Sequence, residues 1–107
     1  MIIYSVSVTV SESIENEWRQ WMTDVHIPDL LQTGCFLEAH FCKLLDATEH
    51  EATYVIQYHC RSPADYERYR DNFAPALQKD HTDRFAGRFR ASRQLLEEVV
   101  SFGLSQA

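Results

Sequence analysis

Residues 2–10 alternate without a break: Ile2, Tyr4, Val6, Val8 and Val10 share one side, Ser5, Ser7 and Thr9 the other. Period two with β-branched residues predicts a strand with one buried face. The period then changes. Ile14, Trp18, Trp21, Met22 and Val25 recur at helical spacing, and Ser11 with Glu12, Glu15 and Glu17 suits the positive end of a helix dipole. Pro28 disfavours helical geometry at Ile27. This predicts a helix end near His26, then a short segment over 28–33 that stops at Gly34.

The rest of the chain repeats the plan. Residues 35–45 and 53–60 read as a hairpin around the polar turn 46–51. Ser62-Pro63-Ala64-Asp65 reads as a capping box opening a helix that carries Tyr66, Tyr69 and Phe73. Pro75 interrupts it, a further stretch puts Leu77, His81, Arg84 and Phe85 on one face, and Gly87 ends it. Residues 88–100 read as a last strand, with Phe89, Ala91, Leu95 and Val99 sharing a parity. A strand followed by a proline-broken helix occurs twice. The predicted fold is α+β: a single ferredoxin-like βαββαβ domain over 1–107, one four-stranded antiparallel sheet with its helices on one face.

Helices on one side leave the other side bare. Its expected residues are Ser5, Ser7, Thr9, Glu38, His40, Cys42, Val55, Gln57 and His59. That set is too polar for a second private core and too sparsely charged for plain solvent surface. A partly polar, wet interface fits it, so we expect a homodimer through this face. A solvated face, which antiparallel sheets permit, is the alternative.

Composition narrows the classes. A chain of 107 residues, 45% hydrophobic and 24% charged, suits one globular core. A net charge of −6 lacks the basic footprint of a nucleic-acid binder, so no nucleic-acid partner is expected. No apolar run approaches a membrane span, and the first residues lack the pattern of a signal peptide, so no membrane partner is expected either. Cys35, Cys42 and Cys60 are odd in number and show no C-x-x-C spacing, which favours a reducing cytoplasm and three small buried thiols. The serine-hydrolase elbow, phosphate-cradling loop and dinucleotide fingerprint are all absent from the sequence.

Candidate chemistry centres on histidine and arginine. His26, taken as the end of a helix, is expected to have a raised pKa and to bind or move a proton, against a plain capping role. His81 shares a helix face with Leu77 and Phe85 and so points to the core. Arg84, Arg88, Arg90 and Arg93 concentrate four of the ten basic residues. Arg84 and Arg93 are candidate anchors for an anionic end of a ligand, whereas Arg88 and Arg90 suit pairing with Asp80, Asp83, Glu97 or Glu98. Trp18, Trp21, Tyr66, Tyr69 and Phe73 line a cavity or simply fill the core. If the hairpin pairs His40 with His59, Cys42 follows two residues along and a metal site becomes geometrically conceivable; polar interface lining is the preferred role.

MIIYSVSVTV, EWRQWM followed by HIPDLLQTGCF, YVIQYHCRSPADYERYR and APALQKDHTDRFAGRF resemble a family of uncharacterised bacterial proteins, a domain of unknown function. More distantly, the chain is similar to the dimeric α+β barrel superfamily. That superfamily includes antibiotic-biosynthesis monooxygenases, ether-degradation-type proteins, haem-degrading enzymes and stress-responsive proteins. The resemblance implies two sheets packed face to face and a ligand cavity between each sheet and its own helices. The Trp21/His26 region resembles the cavity-bordering helix end of ether-degradation-type proteins.

The expectation is therefore a cytoplasmic homodimer with a pocket for a small, apolar or weakly anionic molecule. His26 and His81 would be acid/base groups for monooxygenase- or isomerase-like chemistry, Trp21 and Tyr58 walls, and Arg84 or Arg93 the anchor, with neither cofactor nor metal required. The alternative is a non-catalytic homodimeric interaction or stress protein whose histidines are structural.

Overall fold

The computed structural model describes residues 1–46 and 49–104. Its element order is β1 (Ile2–Ser11), α1 (Glu15–Trp21), α2 (Ile27–Gln32), β2 (Glu38–Lys43), β3 (Glu51–Cys60), α3 (Pro63–Asn72), α4 (Ala74–Phe85) and β4 (Phe89–Glu97). The strands form one antiparallel sheet in the order β2-β3-β1-β4, the ferredoxin-like arrangement.

Alternation sets the core. On β1, Tyr4, Val6, Val8 and Val10 are buried, and on β3 Ala52, Tyr54, Ile56, Tyr58 and Cys60 join them. The register places Val6 opposite Ile56 and Tyr4 opposite Tyr58, so the two apolar rows form one surface. The helices cover it with Trp18, Trp21, Met22, Leu30, Tyr69 and Phe85.

Local signals set most boundaries. The Ser62 hydroxyl accepts from the Asp65 amide at 3.3 Å, and Pro63 takes the first turn of α3. Pro75 likewise sits in the first turn of α4, just after the break at Phe73. Gly87, at φ 78°, ends that helix in the left-handed region, and Gly34 does the same after α2.

Several expectations need correction. The first helix does not end at His26. Residues Met22–His26 form a π-turn that runs directly into α2, and the Ile27 amide donates back to the Met22 carbonyl. A wider turn opens the space that a proline ring otherwise lacks against the carbonyl four residues back, so Pro28 is accommodated inside the helix rather than after it. The Ser11 hydroxyl caps nothing; it bonds to that of Ser13, and a 3-10 turn over Glu12–Ile14 leads into α1. β2 is shorter than 35–45, because Cys35 and Phe36 drop into the core ahead of it. β4 ends at Glu97 rather than Val100. In the expected turn 46–51, β3 already begins at Glu51, and residues 47 and 48 lie outside the described residues.

No helix is long and apolar enough to cross a membrane among the described residues. Cys35, Cys42 and Cys60 are free thiols. Cys42, expected buried, is exposed, because it lies on the side of β2 turned away from the helices.

Candidate functional site

The site lies between the sheet and its helices. α4 supplies His81, whose position two turns in is fixed by the amphipathic spacing of Leu77, His81 and Phe85. Its Nε2 accepts a hydrogen bond from Trp18 Nε1 at 2.9 Å, across 63 residues of sequence. An indole N–H can only donate, so Nε2 carries no proton and the imidazole is the Nδ1–H tautomer. Phe89 meets this ring edge-on at 4.4 Å between centroids.

The π-turn supplies His26. Its ring stacks on Trp21 at 5.1 Å and 27° and lies 5.6 Å from the His81 ring. His26 Nδ1 is buried and has no hydrogen-bond partner among the described residues. Buried polar atoms almost always find one, so this orphan is a free binding valence.

The electrostatics reverse one expectation. His26 is not at a helix C-terminus, because α2 continues beyond it and takes up the carbonyls that would have favoured a proton. Burial pushes its pKa down to about 4, with His81 and Arg93 adding repulsion. His81 is also held at about 4, by burial first and Arg93 second. Both imidazoles are neutral at pH 7.

A cavity joins these groups. It is lined by His26, His81, Tyr4, Tyr58, Tyr69, Gln78 and Arg93, with Val6, Val8, Met22, Leu30, Ile56, Phe89 and Ala91 as its apolar walls. The cavity measures about 30 Å³, and about 420 Å³ of free space is counted when its open mouth is included. The smaller figure holds roughly two waters; the larger lies toward the lower end of ordinary ligand pockets, roughly 300–1,000 Å³.

Arg93 enters through sheet parity. It lies opposite Val6 in the row that carries Phe89 opposite Val10 and Ala91 opposite Val8, so it faces the helices from an edge strand. Burial raises the Tyr4 phenol, and the neighbouring Arg93 and Gln78 pull it back part of the way. Tyr58 is raised further, by burial and by Tyr69 and Tyr4 beside it.

Of the six residues singled out in the sequence, His26, His81, Tyr58 and Arg93 line one cavity. Trp21 stands behind His26 rather than in the wall. Arg84 is outside, its guanidinium 5.4 Å from the Trp21 ring centroid. Arg90 pairs with Glu51 at 2.6 Å, not with the acids near it in sequence. Tyr69 is in the wall, whereas Trp18 acts from behind through His81. Sequence reasoning passed over Gln78, for which no pattern signalled a role, and Tyr4, hidden in the apolar alternation.

The hairpin register puts Glu38 opposite His59 and His40 opposite Gln57, with Cys42 opposite Val55. The rings of His40 and His59 still meet diagonally at 5.3 Å, and His40 Nε2 lies 3.2 Å from Glu38. No group of three metal-ligating side chains forms among the described residues. The register therefore does not make the direct His40–His59 pairing on which that conceivable site depended.

Residues 1–99 match the domain of unknown function DUF4286, and the chain belongs to that family. No curated protein matches it. Solved structures show the same fold at low identity. A mutant of MhuD with two manganese protoporphyrin IX bound per active site shares 16% identity, with 96% of this chain and 99% of that one covered at a TM-score of 0.70. A protein assigned as an antibiotic biosynthesis monooxygenase from Deinococcus radiodurans shares 11%, with 98% and 99% covered at 0.70. A dimeric ferredoxin-like protein from an uncultured marine organism shares 18%, with 97% and 100% covered at 0.65.

Proposed function

We propose that this chain forms a homodimer whose cavity, in each copy, binds a small, largely apolar molecule and moves a proton on it. The observation that carries the reading is the buried, unpartnered His26 Nδ1 beside the neutral His81 in a shared cavity. With its proton on Nε2, His26 offers Nδ1 as an acceptor. A C–H or O–H proton of the ligand passes to Nδ1, and the resulting imidazolium returns it to another atom of the same molecule. That sequence balances as an isomerisation with no cofactor. An oxygenation would need dioxygen as a second reactant and draws support only from the names of structural neighbours. The porphyrin named for MhuD is a far larger body than the space here.

Dimerisation draws support from the dimeric ferredoxin-like neighbours and from the bare sheet face. A cytoplasmic setting remains a proposal that rests on the free thiols. A second reading, a non-catalytic interaction protein, is favoured by two observations: His81 is already bonded to Trp18, and the cavity is narrow.

Native mass spectrometry of freshly purified protein separates the two. A bound small molecule should appear and should be lost in His26→Phe, which keeps a ring over Trp21 but has no acceptor, while the melting temperature moves little because Nδ1 gives up no hydrogen bond. An empty wild-type protein together with a strongly destabilised variant would favour the structural reading instead.

A further inference from the structure

The cavity is unevenly charged. The chain carries sixteen acidic and ten basic residues, yet the fourteen lining residues include one arginine, two histidines and no carboxylate. Arg93 is the one formally charged group among them. Arg68 meets Asp65, Arg70 meets Asp71 and Arg90 meets Glu51, whereas Arg19, Arg61, Arg84, Arg88 and Arg93 make no ion pair among the described residues; of these five, Arg93 is the one in the cavity lining. Among the described residues no acidic group lies within salt-bridge distance of Arg93. It stands in a parity row that is otherwise Phe89, Ala91 and Leu95, so its charge is held on the helix side of the sheet without a counter-ion. Arg93 is exposed at the cavity mouth, so its guanidinium is open to a planar oxyanion entering there.

Resting on the pocket reading above, we infer that the cavity selects the ionised form of a small planar oxygen acid, a carboxylate or the conjugate base of a phenol or enol. Its oxyanion meets Arg93 at the mouth, and its apolar body lies inward among Val6, Val8 and Phe89. A planar guanidinium matches a planar oxyanion with two parallel hydrogen bonds, which a lysine would not supply. Tyr4 and Gln78, beside Arg93, provide further polar contacts for the same group. His26 Nδ1 remains for the ring substituent or acidic carbon that lies deeper. An anion at Arg93 also cancels part of the field that keeps both imidazoles neutral, so the bound ligand itself makes His26 a better base.

4-Nitrophenol tests this directly, since phenol and phenolate absorb at separate wavelengths, and nitrobenzene serves as the same ring without an ionisable oxygen. The phenolate should bind about tenfold more tightly than the phenol, so the dye's ionisation on the protein falls by about one pH unit. In Arg93→Gln that shift should vanish while nitrobenzene binds as before. The wild-type shift stands as a test even if the variant fails to fold. If dye and nitrobenzene bind alike with no spectral shift, the selection for an anion is overturned and the pocket reading survives. If neither binds, the pocket reading falls and the inference with it.

Discussion

His81 is held by a single donor. Trp18 Nε1 and Phe89 fix its ring, and burial keeps its pKa near 4 against an ordinary 6.5. The stability consequence has a definite sign. In the unfolded chain the imidazole takes up a proton near pH 6.5; in the folded protein it does so only near pH 4. Stability is therefore complete above about pH 6.5 and falls as pH drops through the interval to about 4. At about 1.4 kcal/mol per pH unit, His81 accounts for a loss of up to about 3 kcal/mol. The shifted carboxylates Glu15, Glu51 and Asp71 are held below their ordinary values and lose their contribution only lower down. Urea unfolding at steps from pH 7 to pH 5 should show falling stability in the wild type and a shallower fall in His81→Gln. Equal slopes would mean that the imidazole is protonated in the folded protein.

At the level of elements, the π-turn is the feature that places His26. A π-turn holds one residue more than a regular turn, so α1 and α2 keep their facing while the residues between them are displaced. Deleting the exposed Asp24 should restore regular winding and leave both helices in phase, at a cost of about 3 kcal/mol because the Pro28 ring then meets the carbonyl four residues back. His26 would then be rotated away from its position over Trp21, and binding of 4-nitrophenol should be lost. A deletion variant that folds and binds normally would show that the turn does not position the site.

The elements also explain what could be read in the sequence. Alternation in 2–10 and 53–60, the Ser62–Asp65 cap and Gly87 are local signals, and the fold follows from them. Arg93 was legible too, since it breaks the Phe89, Ala91, Leu95 row, and so was the inward face of His81. The state of His26 was not. Its environment depends on α2 continuing past Pro28, a case where tertiary burial of Leu30 outweighs the usual effect of proline on the preceding residue. The Trp18–His81 bond and Gln78 were equally hidden, because both depend on packing between α1, α4 and the sheet, which no local pattern encodes.

For the whole molecule the decisive quantity is uncovered surface. The radius of gyration is 14.9 Å and the shortest extent 21 Å, against about 13 Å expected for a compact chain of this length. The molecule is a flat two-layer body, sheet and helices, and no described element packs on the second side of the sheet. On that side Ser7 lies between Val55 and Ser92, Ile3 between His59 and Leu96, and Thr9 bonds to Thr53 through their hydroxyls at 2.7 Å. These central residues are only partly exposed, and their hydroxyls are satisfied within the sheet at Thr9 and Thr53, which lowers the cost of covering them. Beyond β4, Val99, Phe102 and Leu104 are almost entirely exposed and Val100 is 60% exposed, more apolar surface than a lone domain of this size normally shows in one segment. In the homodimer proposed above, a second copy packed sheet to sheet would cover that sheet face. Val55→Lys puts an unpaired charge at the middle of that contact, twice per dimer. At a few kcal/mol for a buried unpaired charge and about 1.4 kcal/mol per tenfold in affinity, dissociation should strengthen by a hundredfold or more. Size-exclusion chromatography with light scattering should then give a 12.5 kDa monomer for Val55→Lys and twice that mass for the wild type. A variant that stays dimeric would place the contact elsewhere, and a monomeric wild type would mean that the polar face is simply wet.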